Sequence, residues 1–308
     1  MVTLGRNRLR TTFKSGAFPV FFHGPFLWLT IGCLFLPVAL FGQKRSSQSK
    51  SVENPTSHSS HVSPPRFLLE HINRQMATIC TERVNDPLGS LPIDEMQMKP
   101  SLPVDNPAVL EGLKRSERLL PTARGLAIQA LTDLAGSNHL KSWRLKRAIR
   151  RISAVTTVKP DMDLRDNASV YYENQRTIHF GTIFLAFLKS DEGMVSILAH
   201  ELTHIGDGKT NVLQPLFNAI GLQASREIGM PIEGSRPEEL TCDLIGVMAA
   251  RKLIDKGSSQ ETVVRRISRS VEHNCVSRDE TDEVHLSPRN TMRALLALEP
   301  FLAGAANP

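Results

Sequence analysis

His200, Glu201 and His204 stand in the order His200-Glu201-Leu202-Thr203-His204. On a helix, residues four apart lie slightly more than one turn from each other, so both imidazoles project from one face and can reach one ion. Neutral imidazole is a favoured zinc ligand, and Glu201 sits beside the pair as a candidate general base. The chain has 10 histidines in 308 residues. Such a match arises by chance in roughly one or two of a hundred chains of this kind. The bland alternative is two helix histidines that pack or cap.

A catalytic zinc takes three protein ligands and keeps one position open. One type of zinc protease places Gly three residues, and a third His six residues, beyond the second His. Those positions hold Asp207 and Thr210 here, so that solution is excluded. The other common solution draws a Glu from a later helix, and Glu238-Glu239-Leu240-Thr241-Cys242-Asp243 offers one. Glu239 and Asp243 share a helical face, with Glu239 able to bind the ion. Asp243 can accept a hydrogen bond from a ligand histidine, which sets the ring's tautomer and orientation. Alone, the acidic pair after Pro237 would read as a helix start favoured by the dipole. Next to His200 and His204 the ligand reading prevails. The site then holds one zinc ion per chain.

These residues need two helices to hold them. Ser190 is a suitable N-cap, followed by Asp191 and Glu192 in the first turn. Val195, Ile197, Leu198, Leu202 and Ile205 form an apolar side, and Gly206 and Gly208 predict a stop near Asp207. Upstream, helical spacing appears over 67–80, and 85–107 reads as loop because of five prolines. Helices are expected over 108–119, 122–135 and 139–151. Short strands are expected over 153–158, 169–172 and 177–180. The fold class is therefore α+β, mainly helical, with a small β-sheet packed on the metal-binding helix. The strand 177–180 is expected at the rim of the cleft, where an extended peptide could add to it.

The segment Ile197-Leu198-Ala199-His200-Glu201-Leu202-Thr203-His204, with Glu239-Leu240-Thr241-Cys242-Asp243, resembles the gluzincin family of CAAX prenyl proteases and HtpX-type membrane proteases. Asn167-Ala168 and the run 177–188 are similar to that family's strand-then-helix approach to the motif. Asp282-Glu283-Val284-His285-Leu286-Ser287-Pro288, then Arg293, is similar to its late His-Pro…Arg segment. The resemblance spans about residues 108–300. It implies a gluzincin-type zinc protease domain over 67–308, with His200, His204 and Glu239 as ligands, Glu201 as base and Asp243 as the partner of a ligand histidine. It also makes His285 a candidate to stabilise a tetrahedral oxyanion or to cap the zinc at rest. Three departures stand out: Leu286 replaces the expected Pro, 35 residues separate His204 from Glu239, and there is a single apolar N-terminal segment. They favour a membrane-tethered protease of misfolded or envelope-associated polypeptides over a processor of prenylated proteins. A chaperone-like, non-catalytic, zinc-bound client-binding protein of the same fold is the alternative, and an intact Glu201 speaks against it.

The charge balance bears on partners. Of 37 Lys and Arg residues, seven lie in the first fifty positions, where there is no acid; the remaining 30 face 31 Asp and Glu. The excess thus flanks an apolar stretch, and no nucleic-acid motif accompanies it. Residues 1–16 form a basic N-terminal region, and 17–42 a signal anchor or signal peptide. The stretch 26–41 carries no charge, and its length falls between a signal core and a spanning helix. Residues 43–66 are rich in Ser and Pro and read as a disordered tether. The protease domain is expected to be exported or membrane-anchored, on the extracytoplasmic side. An oxidising compartment there would allow Cys80 and Cys275 to pair, although spacing alone leaves the pairing open. Cys33 falls in the apolar stretch, and Cys242 reads as a small core residue.

Overall fold

The computed structural model describes residues 66–85, 93–171, 173–254, 260–271, 274–275, 282–299 and 302. The basic region, the apolar segment and all of the tether but Arg66 lie outside the described residues. Among the described residues, no helix is long and apolar enough to cross a membrane.

The described chain is mainly helical with one small sheet. Helix α1 (Arg66–Asn85) and the short α2 (Ile93–Met98) lead into α3 (Pro107–Ser137) and α4 (Ser142–Ser153). Strands β1 (Thr157–Asp161), β2 (Ala168–Ser169) and β3 (Thr177–Gly181) follow, then α5 (Thr182–Phe187) and α6 (Asp191–Asp207). The remainder is α7 (Gln214–Ile228), α8 (Arg236–Leu253), α9 (Gln260–Val271) and α10 (Pro288–Leu298).

Helix α6 is the centre of the packing. It lies against α3, α4, α8 and α9, and β2 and β3 also reach it. Every residue from Glu192 to Asp207 is buried. A helix covered on all sides is a core helix, and its polar residues must find partners inside. Its ends follow the expected chemistry. The Ser190 hydroxyl accepts from the Gly193 amide at 3.1 Å, and Gly208 closes the helix at φ +55°. Asp207 then braces the exit by accepting from the Leu213 amide at 2.7 Å.

Helices α6 and α8 approach closely because of Gly246. A Cβ there would lie 2.5 Å from the Ser196 carbonyl oxygen, inside any tolerated contact. The absent side chain lets the two backbones meet one turn from the motif residues on each helix.

Four local expectations are corrected. Helices 108–119 and 122–135 are one continuous helix, α3, which runs through Pro121. Pro121 leaves the Glu117 carbonyl without its helical donor, but both residues are exposed and water can serve that carbonyl. The buried stripe Leu119, Leu120, Ala123, Ala127 and Ala130 holds the helix together across that point. The loop expected over 85–107 contains α2, whose Met96 is buried. The first strand lies at Thr157–Asp161 rather than 153–158, because Ser153 ends α4 and Pro160 is tolerated on an edge strand. The second is only Ala168–Ser169, and Tyr172 lies outside the described residues.

A fifth correction concerns peptide docking. The sheet order is β1-β3-β2, with β1 parallel and β2 antiparallel to β3. Thr177–Gly181 is thus the central strand, paired along its length with β1 and at His179 and Phe180 with β2, so among the described residues it is not an edge strand. The edges belong to β1 and β2.

Candidate metal centre

Helix α6 carries His200, Glu201 and His204, and α8 carries Glu238, Glu239, Cys242 and Asp243. The two helices face each other, and their side chains meet in the buried layer between them. His200, Glu201, His204 and Glu239 are each at most 5% exposed.

Each imidazole is held by its own carboxylate. His200 donates from Nδ1 to Asp243 Oδ1 at 2.8 Å, and His204 donates from Nδ1 to Glu238 Oε1 at 2.9 Å. An ionised carboxylate only accepts, so each Nδ1 carries the proton and each Nε2 turns a lone pair inward. The two Nε2 atoms lie 3.0 Å apart. Glu239 Oε2 is 3.4 Å from Nε2 of His200 and 3.3 Å from Nε2 of His204. That oxygen is buried and has no hydrogen-bond partner.

Three potential donor atoms therefore converge within 3.4 Å of one another, an arrangement that suits a cation. Donors each about 2 Å from a tetrahedral ion lie roughly 3.3 Å from one another. The observed spacings of 3.0, 3.3 and 3.4 Å match that geometry. A proton and a cation compete for these nitrogens. Burial opposes charge on His200, but the hydrogen bond and charge of Asp243, with Glu239, outweigh it and raise the imidazole to about 9. Burial likewise opposes charge on Glu239, yet His204 and His200 hold its carboxyl well below the usual range.

Cys242 joins this group, which its reading as a small core residue did not anticipate. His200, His204 and Cys242 are all buried and offer donor atoms within 4.8 Å of one another, so the group could hold a metal ion. The thiol sits 3.7 Å from Nδ1 of His204, on the side that Glu238 already occupies. Burial pushes it up to about 12, so it is a neutral thiol at pH 7 in the absence of metal.

His285 arrives from the segment before α10. Its Nε2 is 3.8 Å from Glu239 Oε2, while Nδ1 lies 3.1 Å from Asp282 Oδ2 and 3.2 Å from Oδ1. Asp282 also accepts from the Val284 and His285 amides at 2.7 and 2.5 Å, which curls the backbone around it. Arg236, at the start of α8, donates to the Asp282 carbonyl from Nε at 3.1 Å and Nη2 at 2.7 Å. The His285 segment is thus fastened to the helix that carries Glu239.

The structure brings His200, His204, Glu239, Asp243 and His285 into one cluster, with Glu201 buried next to His200 on α6. Arg293, the last residue of the resembling segment, lies elsewhere in function: it donates to Asn73 of α1 at 3.1 Å and to Asn290 at 3.2 Å. Sequence reasoning missed three residues. Glu238 read as a helix-start acid, although its place directly before Glu239 was a signal. Cys242 carried none, and Asp282 offered only its i, i+3 spacing to His285.

Comparisons with protein-family models, with curated proteins and with solved structures returned no match.

Proposed function

We propose that the chain is a zinc-dependent metalloendopeptidase that hydrolyses peptide bonds of misfolded or envelope-associated proteins. The convergence of two histidine Nε2 atoms on the unsatisfied Oε2 of Glu239, with Glu201 adjacent on the motif helix, carries this reading.

His200, His204 and Glu239 would hold the ion. Glu239 is preferred to Cys242 as third ligand because it lies on the Nε2 side of both rings. Bound zinc would lower the pKa of a water towards neutrality and polarise a scissile carbonyl. The chain's own groups supply the rest. Asp243 and Glu238 keep the Nδ1 protons in place, so both Nε2 lone pairs point at one spot. The Glu201 carboxylate accepts a proton from the attacking water and delivers it to the leaving amine nitrogen. His285, steadied through Nδ1 by Asp282, presents Nε2 towards Glu239. From there it either donates to the developing oxyanion or covers the ion at rest. The pairing of Cys80 with Cys275 supports an oxidising, extracytoplasmic location, with residues 17–42 as the membrane segment.

The alternative is a non-catalytic, zinc-bound client-binding protein. Casein cleavage by the zinc-supplied full-length chain, beside its Glu201→Gln variant, separates the two. The reading expects cleavage by the parent, its loss on chelation, and a drop of at least about a hundredfold in the variant at unchanged zinc content. Equal zinc and no cleavage in either would favour the client binder. His285→Ala then distinguishes a resting cap, whose removal raises activity, from an oxyanion donor, whose removal lowers it.

A further inference from the structure

Helix α4 is unusual for its one-sided charge. Residues 141–153 contain Lys141, Arg144, Lys146, Arg147, Arg150 and Arg151, and no acid. Beyond the first fifty residues the chain as a whole is nearly balanced, so this is a local concentration of cations. Two of the six have internal work. Arg144 donates to the Val212 carbonyl at 3.2 Å. Arg151 donates to the Gly206 carbonyl at 3.1 Å and to that of Asp207, capping α6. Ala148 and Ile152 bury the inner face of the helix.

The outer face is different. Trp143, Lys146, Arg147 and Arg150 are exposed, and their spacing of three, four and seven residues from Trp143 places all four on one side. Neither Lys146, Arg147 nor Arg150 pairs with an acid among the described residues. Like charges three and four residues apart destabilise a helix, so this face gains when an anionic surface neutralises it. Trp143 is 52% exposed, and the Arg144 guanidinium stacks 4.8 Å above its ring. An exposed indole among unpaired cations is the composition of a surface that sits in lipid headgroups. Nucleic acid is the less favoured partner, because one aromatic ring at one end of the helix provides no series of stacking platforms. The uncharged stretch 26–41 of the same chain gives an independent reason to expect a bilayer close by.

We propose that the Trp143–Lys146–Arg147–Arg150 face of α4 seats on an anionic lipid bilayer. The inference does not depend on peptidase activity. The chain has two tryptophans, Trp28 and Trp143, so Trp28→Phe in the full-length chain leaves Trp143 as the only reporter. This protein is reconstituted into nanodiscs of phosphatidylcholine alone or of phosphatidylcholine with phosphatidylglycerol, with and without acyl-chain bromination. The apolar N-terminal segment can enter both kinds of disc, so any difference at Trp143 reports α4. Seating predicts a blue shift and bromine quenching of Trp143 in the anionic discs only. Both should vanish in the Lys146→Glu/Arg147→Glu/Arg150→Glu variant, whose changes are all on exposed side chains. Each cation near an anionic leaflet contributes roughly fivefold to partitioning, so the triple reversal should weaken it by at least about a hundredfold. Equal emission in the two discs, or retention of the shift by the triple variant, overturns the proposal. So does an equal or larger shift on adding duplex DNA to the lipid-free protein.

Discussion

At the scale of single residues, the site is a matter of which nitrogen faces which oxygen. Asp243 and Glu238 do the same job for different rings: each accepts a hydrogen bond from Nδ1–H and so turns Nε2 inward. Removing such a partner typically weakens metal binding about 10–100-fold. Asp243→Asn and Glu238→Gln should therefore each lower zinc affinity by that factor in competition with a chelating dye, while Glu239→Gln should lower it further. A Glu238→Gln variant with unchanged affinity would return that residue to a helix-start acid. Cys242→Ala should leave affinity nearly unchanged, since Glu239 occupies the Nε2 side of the rings. A large loss would identify the thiol as a ligand.

At the scale of elements, the site depends on how closely α6 and α8 pack. Gly246 has no room for even a methyl group without movement, because the Ser196 carbonyl oxygen lies 2.5 Å from where its Cβ would go. Gly246→Ala should cost about 1–3 kcal/mol, read from urea unfolding. It should also weaken zinc binding, since α8 must move away from the histidines as one body. Unchanged stability would mean that the interface absorbs a methyl group, and the account of the close approach would fail. The same level decides the sheet. β3 has four of its five residues buried, and its central place between β1 and β2 removes it as the edge strand.

At the scale of the whole molecule, distant pieces are tied to the core. The Cys80–Cys275 disulfide joins α1 to the segment after α9 across 195 residues, with Cα atoms 5.4 Å apart. Arg293 of α10 reaches Asn73 of α1, adding a second tie near the same helix. Closing so long a loop restricts the unfolded chain, so Cys80→Ser with Cys275→Ser should lower stability by about 2–4 kcal/mol in denaturant unfolding. Zinc binding should be altered little, because neither cysteine is among the residues that meet at the metal centre. Loss of zinc with the disulfide would show that α1 and α9 brace the site itself.

The sequence by itself determined what is local. His200 and His204 share a helical face because four residues make slightly more than one turn, and Ser190 and Gly208 mark the helix ends through capping chemistry that needs no distant partner. Glu239 and Asp243 were legible for the same reason, since their spacing repeats on a second helix. The mainly helical α+β class was also readable from periodicity. Tertiary structure decided everything that joins one helix to another. Only the packing of α6 on α8 brings Glu239 Oε2 to both Nε2 atoms and pairs Glu238 with His204. Only the fastening of Asp282 by Arg236 brings His285 near Glu239. Strand order, which left β3 in the middle, and the continuity of α3 through Pro121 were hidden likewise. Each depends on contacts between residues far apart in the chain, whereas spacing along a sequence encodes only neighbours within a turn or two.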